Sequence, residues 1–217
     1  MEQIIQVIAL AALPVLFAIT LHEAAHGYVA KYFGDPTADL AGRISLNPVR
    51  HIDLIGTLAV PMAILLVSGG DFLFGWAKPV PVDFGRLRNP KKDMFWVAAA
   101  GPLANLAMAL GWALLFKLSL SAPLGDYADP MLRMSLIGIS INVVLMVLNL
   151  LPLPPLDGGR IAVSILPMPL AMRFARLERW GFPILLLLLF TDVLAKIMAP
   201  PVAVVRALIA AIFQLPT

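Results

Sequence analysis

The sequence predicts an all-α integral membrane protein, a polytopic bundle of about five to six transmembrane helices in one domain over residues 1–217. Three observations predict it. The 217 residues are 60% hydrophobic and only 13% charged, where a soluble domain is roughly a quarter charged. The mean hydropathy is +0.90. The apolar residues are gathered into runs, several of them near the roughly 20 residues that carry a helix across the hydrocarbon. The chain has no cysteine, so disulfides and thiolate metal ligands are excluded. A net charge of +3 is too small to suggest nucleic acid as a partner.

The first helix is expected from about Ile4 to Phe33, ended by Gly34-Asp35-Pro36, since glycine and proline terminate helices. Glu2 is its only early charge, so it lacks the basic region of a cleaved signal peptide and is expected to be retained. Residues 35 to 55 are mixed and polar, with Arg43–Pro48 reading as a short strand and turn. Gly56 to Ser68 is apolar but short, and interrupted by Pro61, which suits a re-entrant or interfacial segment. Trp76–Val82 is expected to be extended, because each proline pushes the residue before it towards β or polyproline geometry.

Met94 to Leu118 is a clear spanning helix, and Leu136 to Leu151 another, ending where Pro152, Pro154 and Pro155 forbid regular helix. Two more helices are expected over Phe182–Ala199 and Val202–Leu215, separated by Pro200-Pro201. The core lies in about residues 4–160, with residues 182–215 as accessory helices. Basic residues cluster in two segments, Lys78 to Lys92 and Arg160 to Arg179. The positive-inside rule puts both in the cytoplasm and the N-terminus outside. These charges also suit contact with anionic lipid.

Inside the first apolar run stands His22-Glu23-Ala24-Ala25-His26. Ionisable groups at membrane depth are costly and usually functional. Two imidazoles at i and i+4 share one helical face, and a glutamate beside the first completes the pattern of a zinc hydrolase. Catalytic zinc takes three protein ligands and leaves a position for water. The best third ligand is Asp157, an acid on a proline-broken backbone after an apolar span, on the same side of the membrane as the motif by charge. Non-helical backbone at that depth is tolerated where it lines a cavity. Glu23, about 100° around the helix from His22, can stand beside the metal as general base. His51, in a polar loop, is expected to be a surface or interfacial residue. Asn142 reads as an interhelical hydrogen-bonding residue, and Asn105 as packing or support for the site.

The histidine-glutamate-x-x-histidine motif, Gly101-Pro102-Leu103-Ala104-Asn105 opening a middle span, and Asn149…Leu156-Asp157-Gly158 together resemble the site-2 protease family of intramembrane zinc metalloproteases. The resemblance covers roughly residues 15 to 160, and Trp76–Val82 is similar to a segment of compact bacterial members. It implies one zinc ion per chain, held by His22, His26 and Asp157, with Glu23 as catalytic base. It implies that Asn149 holds the substrate backbone or the oxyanion, and that Gly101, Pro102 and Asn105 belong to a supporting helix. It also implies a sheet-like re-entrant element after the first helix, here residues 40 to 60, to which an extended substrate adds as a strand. The substrate class it implies is a transmembrane protein cleaved within the bilayer. No stretch reads as a PDZ insertion or a nucleotide-binding tail.

Other classes are weighed by the same residues. A serine protease would need a serine-histidine pair within spans, and an aspartyl protease two acids in spans; the sequence fits neither. A metal-binding transporter or channel could use the same polar residues as a pathway, since transporters also place ion sites at broken helices. The lack of an internal repeat and the presence of Glu23 weigh against it.

Overall fold

The computed structural model describes residues 2–51, 53–60, 62, 63, 78–121, 123 and 125–215. Among them the regular structure is helical: α1 (Glu2–Tyr32), α2 (Thr37–Leu40), α3 (Pro90–Ser121), α4 (Ala128–Asn149), α5 (Asp157–Ile165), α6 (Met168–Ala175), α7 (Glu178–Phe190) and α8 (Val193–Phe213). No β-strand occurs among the described residues. Four helical stretches, Gln6–Tyr32, Pro90–Ser121, Gly125–Asn149 and Val193–Phe213, are long and apolar enough to cross a membrane. The chain is a multi-pass membrane protein.

α1 stops where the glycine and proline predict. Gly34 takes a left-handed φ of +107°, and Asp35 N–H reaches back to the Ala30 carbonyl at 2.9 Å. That satisfies one of the carbonyls a helix end leaves open. Arg88 then caps the same end: its N–H donates to the Phe33 carbonyl at 3.0 Å, and its guanidinium donates to the Tyr32 and Phe33 carbonyls. A cation at a helix C-terminus also meets the negative end of the dipole. Asp35 is buried and holds the returning chain, accepting from Asp83 N–H at 2.7 Å and from both the N–H and hydroxyl of Thr37.

The core forms where α3 and α4 meet. Ala109 and Ala113 pack with Ile139, Val143, Met146 and Val147, and Ile209 of α8 closes the cluster. The small residues matter, because lipid gives helices little hydrophobic reason to associate and close backbone approach must supply the contact. Gly138 lets the Trp112 indole lie directly against α4. α3 is the central helix, packing against α1, α4 and α5.

Two expectations need correction. Residues 40–60 carry turns, a 3-10 turn at Pro48–His51 and a π-helical turn at Leu54–Ala59 rather than a strand. Local side-chain bonds win there: Asn47 Oδ1 accepts from Val49 N–H, and Asp53 accepts from the N–H groups of Ile55 and Gly56. Such bonds offer the backbone an alternative to a ladder. Secondly, α8 runs through Pro200 and Pro201. The two prolines withdraw only two helical donors, which apolar helices in membranes tolerate. The break falls instead at Thr191–Asp192, where Asp192 adopts a left-handed φ of 57°. Aspartate is one of the few non-glycine residues that visit this region readily. After Asp157 the chain folds into α5 and α6, with Gly158-Gly159 in the first turn of α5. The glycines are required by packing, since a Cβ on Gly158 would meet the Leu150 carbonyl and one on Gly159 the Pro154 nitrogen. Pro61 and residues 64–68 of Gly56–Ser68, and the Trp76-Ala77 part of Trp76–Val82, lie outside the described residues. From Lys78 to Val82 the chain carries no helix or strand.

Candidate metal centre

The helical period puts His22 and His26 one turn apart on α1, facing α3. α3 answers with a row at the same spacing, Val97, Gly101 and Asn105. His26 Nδ1 lies 2.7 Å from the Val97 carbonyl, and His22 Nδ1 lies 2.6 Å from Asn105 Oδ1. Gly101 sits between them, and a Cβ there would lie 2.5 Å from both His22 Cε1 and His26 Nε2. Only a bare Cα lets both rings reach α3.

Because the Val97 carbonyl can only accept, His26 Nδ1 carries the hydrogen and its Nε2 carries a lone pair. The same holds for His22, whose Nδ1 faces an amide oxygen. The two Nε2 atoms lie 3.1 Å apart, with Asp157 Oδ2 at 3.2 Å from His22 Nε2 and Oδ1 at 3.4 Å from His26 Nε2. All three groups are buried, with relative exposures of 7%, 9% and 7% for His22, His26 and Asp157. Asp157 Oδ2 has no hydrogen-bond partner despite this proximity. Three lone-pair donors therefore converge, and with neutral rings no proton lies between them. That arrangement repels itself unless a cation sits inside it. Two imidazoles and one carboxylate, with ligating atoms all within 4.8 Å of one another, fit zinc and leave room for a fourth position.

Asp157 reaches the histidines because the proline-rich turn after α4 ends there and α5 begins. Its place in the first turn of α5 also suits a negative charge. Burial opposes its ionisation; hydrogen bonds and charge from His22 and His26, in the state where those rings carry a proton towards it, outweigh that and hold its carboxyl below the usual carboxylate range.

A cavity of about 140 Å³ opens beside the three ligands, and Glu23 and Asn149 both line it. Glu23 Oε2 accepts from Val80 N–H at 2.8 Å. Asn149, the last residue of α4, gives its Nδ2 to the Leu145 carbonyl at 3.1 Å, and its Oδ1 makes no hydrogen bond among the described residues. Pro102 has no N–H to return to the Ala98 carbonyl, and Ala98 lines the same cavity.

His51 stands apart. Contrary to the surface position expected, it is 2% exposed, because the Pro48–His51 turn packs against α1. Its Nε2 faces the Ser45 carbonyl at 2.9 Å, remote from the metal-facing cluster. Several cavity residues escape the sequence reading, Val80 and Arg160 among them. Val80 contributes through a backbone N–H, which has no residue-type signature. Arg160 lines the cavity and lays its guanidinium 5.2 Å from the Phe84 ring centroid. Its signal was available, since it lies three residues beyond Asp157 and so on the same helical face.

Fold and site together define a multi-pass membrane protein with a buried candidate metal centre. The family model described as Peptidase family M50 matches residues 127–191. A Bacillus subtilis (strain 168) protein, YwhC, provisionally named a zinc metalloprotease, is 36% identical over 206 residues, covering 92% of this chain and 90% of that protein. Rip2 of Mycolicibacterium smegmatis (strain ATCC 700084 / mc(2)155), named in the same provisional terms, is 30% identical over 182 residues, or 83% of this chain and 66% of its own length. Rip2 of Mycobacterium tuberculosis (strain ATCC 25618 / H37Rv) is 31% identical over 147 residues, and the match spans 52% of that relative. No solved structure matches the chain. The chain belongs to peptidase family M50, the site-2 protease family of zinc metalloproteases.

Proposed function

We propose that the protein is an intramembrane zinc endopeptidase that hydrolyses peptide bonds in or near transmembrane segments of membrane-protein substrates. The observation that carries this reading is the convergence of His22 Nε2, His26 Nε2 and the orphaned Asp157 Oδ2 beside a cavity lined by Glu23. Zinc held by His22, His26 and Asp157 would polarise the scissile carbonyl and lower the pKa of water towards ~7.

The remaining steps fall to side chains. Glu23 takes a proton from the attacking water and returns it to the leaving amine. Its hydrogen bond to Val80 N–H holds the carboxylate at the cavity wall before substrate arrives. Asn149 offers Oδ1 to a substrate backbone N–H, an assignment supported by its place in the cavity. Burial of the ligands among α1, α3 and α5 excludes bulk water. The Lys78–Val82 segment, which lines the cavity through Pro79, Val80 and Val82, rather than residues 40–60, is the wall along which an extended substrate would lie, playing the part of the expected β-like element. The membrane orientation follows the basic segments: N-terminus outside and the site towards the cytoplasm. α7, with 13 residues, would add a fifth membrane element only as an incomplete crossing. Lipid and a transmembrane substrate are the partners.

Purified protein tests this reading with a model transmembrane substrate and a metal assay. Glu23→Gln is expected to keep one zinc per chain and lose cleavage by a factor of ~10² or more. Full cleavage by that variant, or wild-type protein that takes up no zinc, overturns the proposal. Metal flux through vesicles that survives Glu23→Gln would point to a transporter instead.

A further inference from the structure

Asn142 of α4 makes no hydrogen bond to a metal-facing residue among the described residues, yet it is bonded to the residue that faces His22. Asn142 and Asn105 are both fully buried. Asn142 Nδ2 donates to the Gly138 carbonyl at 2.8 Å. A backbone carbonyl can only accept, so the nitrogen of the Asn142 amide must face Gly138 and its oxygen must face Asn105. Asn105 Nδ2 then donates to Asn142 Oδ1 at 2.9 Å and to the Ala18 carbonyl at 3.1 Å. Both hydrogens of that nitrogen are committed, which turns Asn105 Oδ1 towards His22 Nδ1 at 2.6 Å.

We infer that Asn142 is a positioning residue that, through Asn105, locks His22 in its Nδ1–H tautomer and keeps the Nε2 lone pair free for the metal. Two groups that cannot exchange roles, the carbonyls of Gly138 and Ala18, decide the direction of every bond in the chain. The opposite tautomer would place a hydrogen on Nε2, where it blocks ligation, and would leave Nδ1 facing Asn105 Oδ1 with two acceptors in contact. A buried unmade bond is costly, and partners behind a metal-binding histidine act by fixing its tautomer and ring orientation. An asparagine used only to hold α3 to α4 would have no effect on which nitrogen of His22 is protonated.

The inference rests on His22 being a zinc ligand, and its test separates the two ideas. Full-length protein carrying 15N-labelled histidine, stripped of metal and brought to an alkaline pH at which the 15N shifts stop changing, reports the His22 tautomer directly. The expected wild-type signal is Nδ1–H; Nε2–H overturns the inference without any variant. Asn142→Leu is expected to give a mixture of tautomers and to weaken binding of zinc alone by roughly 3–10-fold, and Asn105→Leu by roughly 10–100-fold. The double variant should bind no more weakly than Asn105→Leu alone, because the relay is already cut. Additive losses, or Asn142→Leu with wild-type tautomer and affinity, overturn the inference. Wild-type protein that binds no zinc would sink the zinc reading, while the tautomer signal, which needs no metal, would still judge the relay.

Discussion

Gly101 lies directly against His22: a methyl group on its Cα would stand 2.5 Å from His22 Cε1 and equally close to His26 Nε2. The metal-facing edge of α1 thus depends on the absence of a side chain on α3. Gly101→Ala is expected to push both rings off their positions, costing roughly 1–3 kcal/mol of stability by overpacking and weakening zinc binding by about tenfold or more. A competition titration against a zinc chelator reads the effect, and an unchanged affinity would contradict the packing described.

Zinc binding should weaken as the pH falls. The lone pairs that hold the metal must be free of protons, and Asp157 stays ionised because its carboxyl is held below the usual range. Protons and metal compete for the same lone pairs as the pH falls. Zinc content measured between about pH 8 and about pH 5 should decline; a constant value across that range would exclude the His22–His26–Asp157 set.

Asp35 should supply stability that disappears in acid. Burial opposes its ionisation, but the Thr37 hydroxyl and N–H and the Asp83 N–H outweigh it, with Arg86 adding charge, so its carboxyl lies below the ordinary value. A lowered folded pKa stabilises the protein above the unfolded value, about 4, and that contribution is lost as the pH falls through the folded value. Asp35→Asn keeps one acceptor oxygen and removes the charge. Its melting temperature should fall at neutral pH and converge on the wild type in strong acid. Parallel pH profiles for the two proteins would be the contrary result.

Gly181 of α7 touches the turn that delivers Asp157. A Cβ there would run into the Pro154 carbonyl, and backbone cannot swing aside as a side chain can. Gly181→Ala is expected to cost roughly 1–3 kcal/mol and to reduce zinc affinity through displacement of Asp157, although residue 181 is far along the chain from every ligand. Thermal unfolding and zinc titration of the same preparation check both effects.

Much of this was legible in the amino-acid order. His22, His26 and Asp157 stood out because polar ligands are expensive in apolar surroundings, and their types and order carry chemistry by themselves. The end of α1 at Gly34 and of α4 before Pro152 followed from backbone rules that tertiary packing did not override. The misreadings share a cause. Pro200-Pro201 breaks a helix in water, but a helix flanked by apolar contacts absorbs two missing donors, whereas the left-handed Asp192 that does break it carries no strong signal. The close packing of Gly158-Gly159 against the Leu150 and Pro154 backbones has no counterpart in the amino-acid order. Val80 was invisible as a partner of Glu23 because any residue but proline could supply its N–H.

Lys78 N–H donates to the His51 carbonyl at 2.9 Å. The bond ties the start of the segment that carries Val80 to the turn at His51, so the N–H that meets Glu23 is fastened upstream as well as at the cavity. A ligand leaning on this wall would meet backbone already in place, so little of the ordering cost would fall on binding.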